Sequence, residues 1–186
     1  MATSTPWGPS QDSRKYGRGV TFYSTAGHGG FKVCPTLNAA MPAHLRREDG
    51  WYEEDCDYAR VMIAFLDRFT TGDAESAEAA LRNWAPAAWE AHYGRALGPG
   101  ESHMRDRETF NAEHVDHYVT VAAWGDWHET VPEGFVGVCA RRARDRHEVY
   151  ALVTTADYEE RGQCGYVLTT DQVGTWIGPD GRGESR

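Results

Sequence analysis

The residues whose types could do metal chemistry in this sequence form a histidine group in the second half of the chain. Glu113, His114 and His117 lie together, and His128 follows them. Two histidines three residues apart share one face of a helix, which suits Zn²⁺, but they point to opposite faces of a strand. The order is not HExxH, and the segment runs into a strand-like stretch. We therefore expect surface or hydrogen-bonded histidines, and we assign no metal and no cofactor.

A cysteine paired with a histidine is the second candidate chemistry. Cys34 with His28 or His44 could form a nucleophilic pair, and Ser24 could replace the cysteine. The sequence offers no evident third group to orient such a pair, and it contains no GxSxG motif. We expect small buried thiols instead. A small metal- or Cys/His-dependent hydrolase or nucleotide-modifying enzyme is retained as the alternative function.

The glycine-rich stretch TAGHGGF contains His28, Gly29 and Gly30. It lies between two strand-like runs, VTFYS and KVC, and therefore predicts the turn of a β-hairpin. No helix follows it directly, so it is not a phosphate loop of the strand–loop–helix kind. Because small residues let a backbone approach a ligand closely, a ligand-binding loop is kept as the second interpretation.

Four acids, Glu53, Glu54, Asp55 and Asp57, stand at the start of the stretch from 50 to 69. Apolar residues then recur every three or four positions, which predicts a helix with one buried face and acids in its first turns. The acids either stabilise that helix terminus or form a negative face for a partner. We expect no catalytic pair here, since catalytic carboxylates usually come from different elements. Aromatic partner-binding candidates lie near predicted element ends: Trp51, Trp124 and Trp127.

The net charge and its distribution along the chain limit the classes of partner that the protein could bind. The net charge is −9, and ten acids against Arg60 and Arg68 place −8 of it between Glu48 and Glu78. A chain this acidic should not bind nucleic acid through phosphates without a local basic patch. Neither a signal peptide nor a run of about 20 apolar residues is present, so we expect no membrane contact. The widely spaced cysteines indicate reduced thiols in a cytoplasm.

The predicted fold class is α+β, with a helical N-terminal half packed on an antiparallel sheet formed mainly by the C-terminal half. Strand-like runs in that half are YVTVAAW, FVGVCA and VYALVTT, with Tyr166 to Thr169 as a further candidate. Helices are expected from Asp73 to Trp84 and from Pro86 to Gly94. We expect a flexible arm over 1–19 with Trp7 as its anchor, a single domain over 20–177, and a disordered tail over 178–186.

Seven short blocks occur in one order along the chain: GHGGFKV, AAMPAHLR, GWYEEDCDYA, LRNWAPAAWEAHYG, LGPGES, VPEGFVGVCARR and ADYEERGQCGYVL. On these blocks, from about Trp7 to Trp176, the chain resembles a family of uncharacterised domains of conjugative plasmids and phages. Their genes often lie among accessory genes such as antirestriction genes. The resemblance implies a mobile-element protein in a bacterial cytoplasm, and it assigns no catalytic residue.

These observations favour a binding protein over an enzyme. We expect an accessory protein of a phage or plasmid that binds and inhibits a host defence or DNA-processing protein. Its acidic face would engage a basic, nucleic-acid-binding surface of that host protein, because opposite charges speed association. A structural or assembly protein that self-associates, for example as a homodimer, is the remaining alternative.

Overall fold

The computed structural model describes residues 2–181, which divide into two compact units between Arg105 and Asp106. The sequence predicted a single domain over 20–177. The predicted α+β class is confirmed, because helices in the middle of the chain accompany antiparallel sheets, one of them in the C-terminal half. The N-terminal half is mixed and begins with strands.

The first unit contains six short strands, and four of them form one antiparallel sheet in the order β3-β4-β5-β6. The bounds are β1 (Ser4–Thr5), β2 (Gly8–Pro9), β3 (Asp12–Lys15), β4 (Val20–Ser24), β5 (Gly29–Val33) and β6 (Trp51–Glu53). The predicted hairpin is β4–β5. Where the sequence predicted a flexible arm, β1 pairs with β2 and β3 pairs with β4, so backbone hydrogen bonds order these residues.

The helices of the first unit follow β5 and β6. They are α1 (Pro35–Ala40), α2 (Tyr58–Ala64), a 3₁₀ turn at Leu66–Arg68, α3 (Thr71–Trp84) and α4 (Pro86–Tyr93). Thr70 and Asp73 form a capping box at the start of α3, in which each side chain bonds the other residue's backbone N–H. Pro86 begins α4, and Gly94 ends it at φ 71°, as the sequence predicts.

One apolar core fills the first unit. Phe31 on β5 and Tyr52 on β6 point to the same side of the sheet and are fully or almost fully buried. Ala59, Val61 and Ile63 of α2 pack in the same cluster with Leu81 of α3 and Trp89 of α4. The hydroxyl of Tyr52 donates to Asn38 Oδ1 at 2.6 Å and accepts from the Arg47 backbone N–H at 3.0 Å.

The helix predicted over 50–69 is wrong in its first part. Residues Trp51–Glu53 form strand β6, a turn follows, and α2 begins only at Tyr58. The apolar spacing predicted one buried helix face, but Tyr52 is buried as part of the sheet and Cys56 is exposed in the turn. The four acids therefore occupy a strand end and a loop, and only Asp57 stands at a helix terminus.

The second unit is built on a three-stranded antiparallel sheet in the order β7-β8-β9. Its strands are β7 (Tyr118–Trp124), β8 (Phe135–Arg142) and β9 (Glu148–Thr154), followed by α6 (Thr155–Glu159). Helix α5 (His103–Glu113) precedes them and crosses the boundary between the units. The core of the second unit contains buried valines and alanines of β8 and β9 together with Leu168.

The segment from Tyr166 to Thr169 contributes one isolated bridge to β7, between Val119 and Val167, and no strand of its own. Of the predicted disordered tail, residues 182–186 lie outside the described part of the chain. No helix within residues 2–181 has the length and apolar character needed to cross a membrane.

Candidate functional site

The register of β5 and β6 joins two segments that the sequence analysis treated separately. Gly30 pairs with Glu53, and the Glu54 backbone N–H donates to the Gly29 carbonyl at 3.1 Å. Side chains alternate along strands, so Gly30 and Lys32 of β5 face the side opposite to the buried Phe31, and His28 directly precedes the strand. The predicted ligand loop and the predicted partner-binding acids thus meet at one edge of the sheet.

His28, Glu53 and Asp55 converge at that edge. Each offers one ligand atom, and these atoms lie within 4.8 Å of one another. His28 Nδ1 is 4.0 Å from Glu53 Oε1, and the two side chains are 60% and 27% exposed. Within residues 2–181, no second group of three His, Cys, Asp or Glu side chains lies this close together.

Local hydrogen bonds orient two members of this cluster. Glu53 Oε2 accepts from the backbone N–H groups of Asp55 at 2.8 Å and Cys56 at 3.3 Å, which leaves Oε1 toward His28. Thr25 Oγ1 donates to the His28 carbonyl at 2.7 Å and accepts from its N–H at 3.2 Å. A divalent ion bound at about 2.0–2.2 Å holds its ligands closer than 4.0 Å, so the cluster would have to contract slightly around a metal.

The acids of this loop differ in their partners. Asp57 is paired with Arg47 at 2.8 Å and with Arg60 at 3.0 Å. By contrast, Glu53, Glu54 and Asp55 form no ion pair with an arginine or lysine of the described chain. The predicted four-acid set is therefore three carboxylates open to a partner and one that is already neutralised by neighbouring arginines.

Aromatic rings flank the open acids. Trp51 lies on the same side of β6 as Glu53, and its ring contacts Trp7 edge-on at 5.8 Å and Tyr23 at 5.7 Å between centroids. Lys32 Nζ lies over the Trp51 ring at 4.7 Å. We call the surface formed by Trp7, Trp51, Glu53, Glu54 and Asp55 the acidic–aromatic face.

Trp7 is the member of this face that the sequence analysis did not assign to binding. A Cβ on Gly30 would lie 2.2 Å from Trp7 Cη2 and 2.4 Å from the Tyr52 carbonyl oxygen. Gly30 therefore makes room for the Trp7 ring against the sheet. The signal in the sequence was the pair Gly29-Gly30, because adjacent glycines allow another group to approach the backbone closely.

The other two aromatic candidates belong to the second unit. Trp124 is half-buried against Trp176, at 5.5 Å between ring centroids. Trp127 is 75% exposed, and its ring contacts His128. Of the two, Trp127 is the one available to a partner.

The histidines considered as metal or nucleophile candidates contact other side chains of the chain. His114 and His117 rings contact each other at 5.3 Å, whereas His128 Nδ1 lies 3.1 Å from Thr130 Oγ1. His44 Nε2 lies 3.2 Å from His92 Nδ1. Partial desolvation in the turn, and then the carboxylates of its own loop, raise the pKa of the Cys56 thiol, which disfavours a reactive thiolate there.

The N-terminal part of the chain matches a known protein family. Residues 1–115 match a family described as a domain of unknown function, DUF7007. The chain belongs to this family. No curated protein and no solved structure matches the chain.

The DUF7007 region contains the whole acidic–aromatic face together with His28. Trp124 and Trp127 lie beyond it. The match agrees with the expectation of an uncharacterised domain family, and it divides the candidate binding residues into those within the domain and those outside it.

Proposed function

We propose that the chain is a binding protein whose acidic–aromatic face docks on a basic surface of another protein. The observation that carries this proposal is that Glu53, Glu54 and Asp55, beside Trp51 and Trp7, form no ion pair with an arginine or lysine of the described chain. Carboxylates form charge-assisted hydrogen bonds with arginine and lysine, and the faces of tryptophan rings attract the same cations. Lys32 already lies over Trp51 in this way within the chain.

The resemblance to plasmid and phage domains supports a more specific form of the proposal. In this form, the chain acts in a bacterial cytoplasm and inhibits a host defence or DNA-processing protein by occupying the basic surface that normally holds DNA phosphates. An acidic chain with a net charge of −9 would compete with DNA through the same electrostatic attraction. The attraction should weaken as salt rises, because exposed charges are screened.

Affinity capture from a nuclease-treated bacterial lysate tests this function. The full chain, the variant Glu54→Gln/Asp55→Asn and the control Glu159→Gln/Glu160→Gln would be immobilised separately. The control removes the same charge from exposed positions in and beside α6. We expect the wild type and the control to retain a DNA-binding protein at low salt, and the Glu54/Asp55 variant to lose it.

The captured protein is then mixed with duplex DNA and the chain. The proposal expects the chain to displace the DNA. A captured protein that binds DNA and the chain together, or that the Glu54/Asp55 variant retains equally well, would contradict it.

A second function is favoured by the orientation of Glu53 Oε1 toward His28. We propose, as the alternative, a hydrolase that binds a divalent cation through His28, Glu53 and Asp55. One imidazole and two carboxylates suit Zn²⁺ or Mn²⁺, and three protein ligands would leave a position for an activated water.

Titration with Zn²⁺ and Mn²⁺ by calorimetry tests the alternative. His28→Gln should weaken metal binding about tenfold or more, whereas the exposed His117→Gln should leave it unchanged. Equal metal binding by wild type and His28→Gln would remove the alternative without affecting the docking proposal.

A further inference from the structure

The second unit contains a groove along the edge of β7. Its larger part is a cavity of about 380 Å³ that extends between β7 and the loop from 161 to 165. A smaller cavity of about 180 Å³ continues it toward α5. The two share Arg107, Thr120, Val121 and Cys164, so they form one continuous site. The larger cavity alone lies within the size range of small-molecule pockets.

The groove exists because the segment around Tyr166 and Val167 contacts only the first half of β7. The Thr120 backbone N–H donates to the Tyr166 carbonyl at 2.9 Å, and Val119 bridges to Val167. Beyond Thr120 the β7–β8 register shifts, which leaves Val121 without a partner in β8 and 51% exposed. The edge from Val121 to Ala123 thus forms one wall of the groove.

Two arginines supply its charge. Arg107 lines both cavities and Arg161 lines the larger one. Neither forms an ion pair with a carboxylate of the described chain, although the nearby Arg141, Arg142 and Arg144 all do. In a chain with 28 acids and 19 lysines and arginines, two guanidinium groups open to one cavity indicate an anionic ligand.

Two further features support a ligand site. The Arg161 guanidinium is held in place, because it lies over the Tyr158 ring at 4.4 Å and Nη1 donates to the Tyr158 carbonyl at 2.9 Å. His114 lines the smaller cavity, and its buried Nδ1 has no hydrogen-bond partner within residues 2–181. Buried polar atoms are normally paired, so this unpaired nitrogen beside the cavity is a departure from the rule.

We infer that the groove binds a small molecule that carries a phosphate group. Two guanidinium groups match the charge of a phosphate better than that of a single carboxylate, and each can donate two parallel hydrogen bonds to it. Gly162 and Gly165 in the opposite wall leave the backbone accessible to the ligand. This site is independent of the docking function proposed for the acidic–aromatic face.

Calorimetric titration of the full chain with pyrophosphate tests the site, and citrate serves as the carboxylate probe. Arg107→Gln and Arg161→Gln should each weaken pyrophosphate binding about tenfold or more. The matched control is Arg144→Gln, which removes an exposed arginine paired with Asp116 and should change nothing. The proposal expects tighter binding of pyrophosphate than of citrate.

A second readout uses the free thiol of Cys164, which lines both cavities. Pyrophosphate should slow alkylation of Cys164 in wild type and leave the exposed Cys56 unaffected. Absence of pyrophosphate binding would overturn the inference. So would binding of pyrophosphate by both arginine variants as tight as that of the wild type, which would indicate an adventitious ion only, or tighter binding of citrate.

Discussion

His28 Nδ1 lies 4.0 Å from Glu53 Oε1, and this approach depends on the β5–β6 pairing of Gly30 with Glu53. The glycine-rich loop and the acidic loop are therefore held together by a sheet and not by a helix. Residues that fix this sheet should control the acidic–aromatic face even where they contribute no charge.

The buried hydroxyl of Tyr52 connects β6 to Asn38 and to the Arg47 backbone. Tyr52→Phe would leave both of these polar groups without their partner in the interior. We expect the free energy of unfolding to fall by about 1–3 kcal/mol, measured by urea denaturation. Tyr23→Phe is the control, because no hydrogen bond of the Tyr23 hydroxyl is found in the described chain. An equal loss in both variants would contradict the role of the Tyr52 network.

Gly30→Ala should displace Trp7 from the sheet. The added Cβ meets the Trp7 ring and the Tyr52 carbonyl at less than 2.5 Å, so one of them must move. We expect a loss of about 1–3 kcal/mol in unfolding free energy and a change in tryptophan fluorescence. Gly27→Ala, which meets no atom within 4 Å, should leave both unchanged. Unaltered fluorescence in Gly30→Ala would show that Trp7 is not seated there.

The capping box of α3 predicts a local stability effect. Thr70→Ala removes the side-chain oxygen that accepts from the Asp73 N–H at 3.2 Å. We expect a loss of about 0.5–2 kcal/mol, measured by thermal or urea unfolding, whereas the exposed Thr71→Ala should cost less. A Thr70 variant as stable as wild type would show that the cap contributes nothing.

The contact between His44 and His92 predicts a dependence of stability on pH. Burial, and then the neighbouring His44, lower the pKa of His92 below its usual value of 6.5. The unfolded chain therefore binds the proton more readily than the folded chain does. This contribution to stability is complete above about pH 6.5 and is lost as pH falls through the lower folded-state pKa. His92→Gln should flatten the fall, and an unchanged pH profile in that variant would contradict the assignment.

The sequence predicted the elements that local signals define. Pro86 and Gly94 bound α4 as their backbone preferences require, and β7 has the predicted bounds from Tyr118 to Trp124. Strand β6 was missed because three residues are too few to show the alternation of buried and exposed side chains that is typical of a strand. Their strand geometry comes from pairing with β5. Helix α5 was missed because none of its residues is buried, so it shows no apolar stripe.

The candidate site was predicted in parts but not as one surface. His28 and the acids were each identified from residue type, but their proximity requires the β5–β6 register, which local patterns do not encode. Asp57 looked equivalent to its neighbours, yet Arg47 and Arg60 neutralise it. The groove along β7 was missed because Arg107 and Arg161 are far apart in sequence and come together only in the folded second unit.

On the docking proposal, the acidic–aromatic face, and not acidity spread over the whole chain, attracts a cationic partner. Titration of the ¹⁵N-labelled chain with an oligoarginine peptide, followed by NMR, tests this attraction residue by residue. We expect the largest shifts on the amides of Glu53, Glu54 and Asp55 and on the indole N–H of Trp51 and Trp7. Shifts of equal size at Glu159 and Glu160, or small shifts around Trp51, would contradict it.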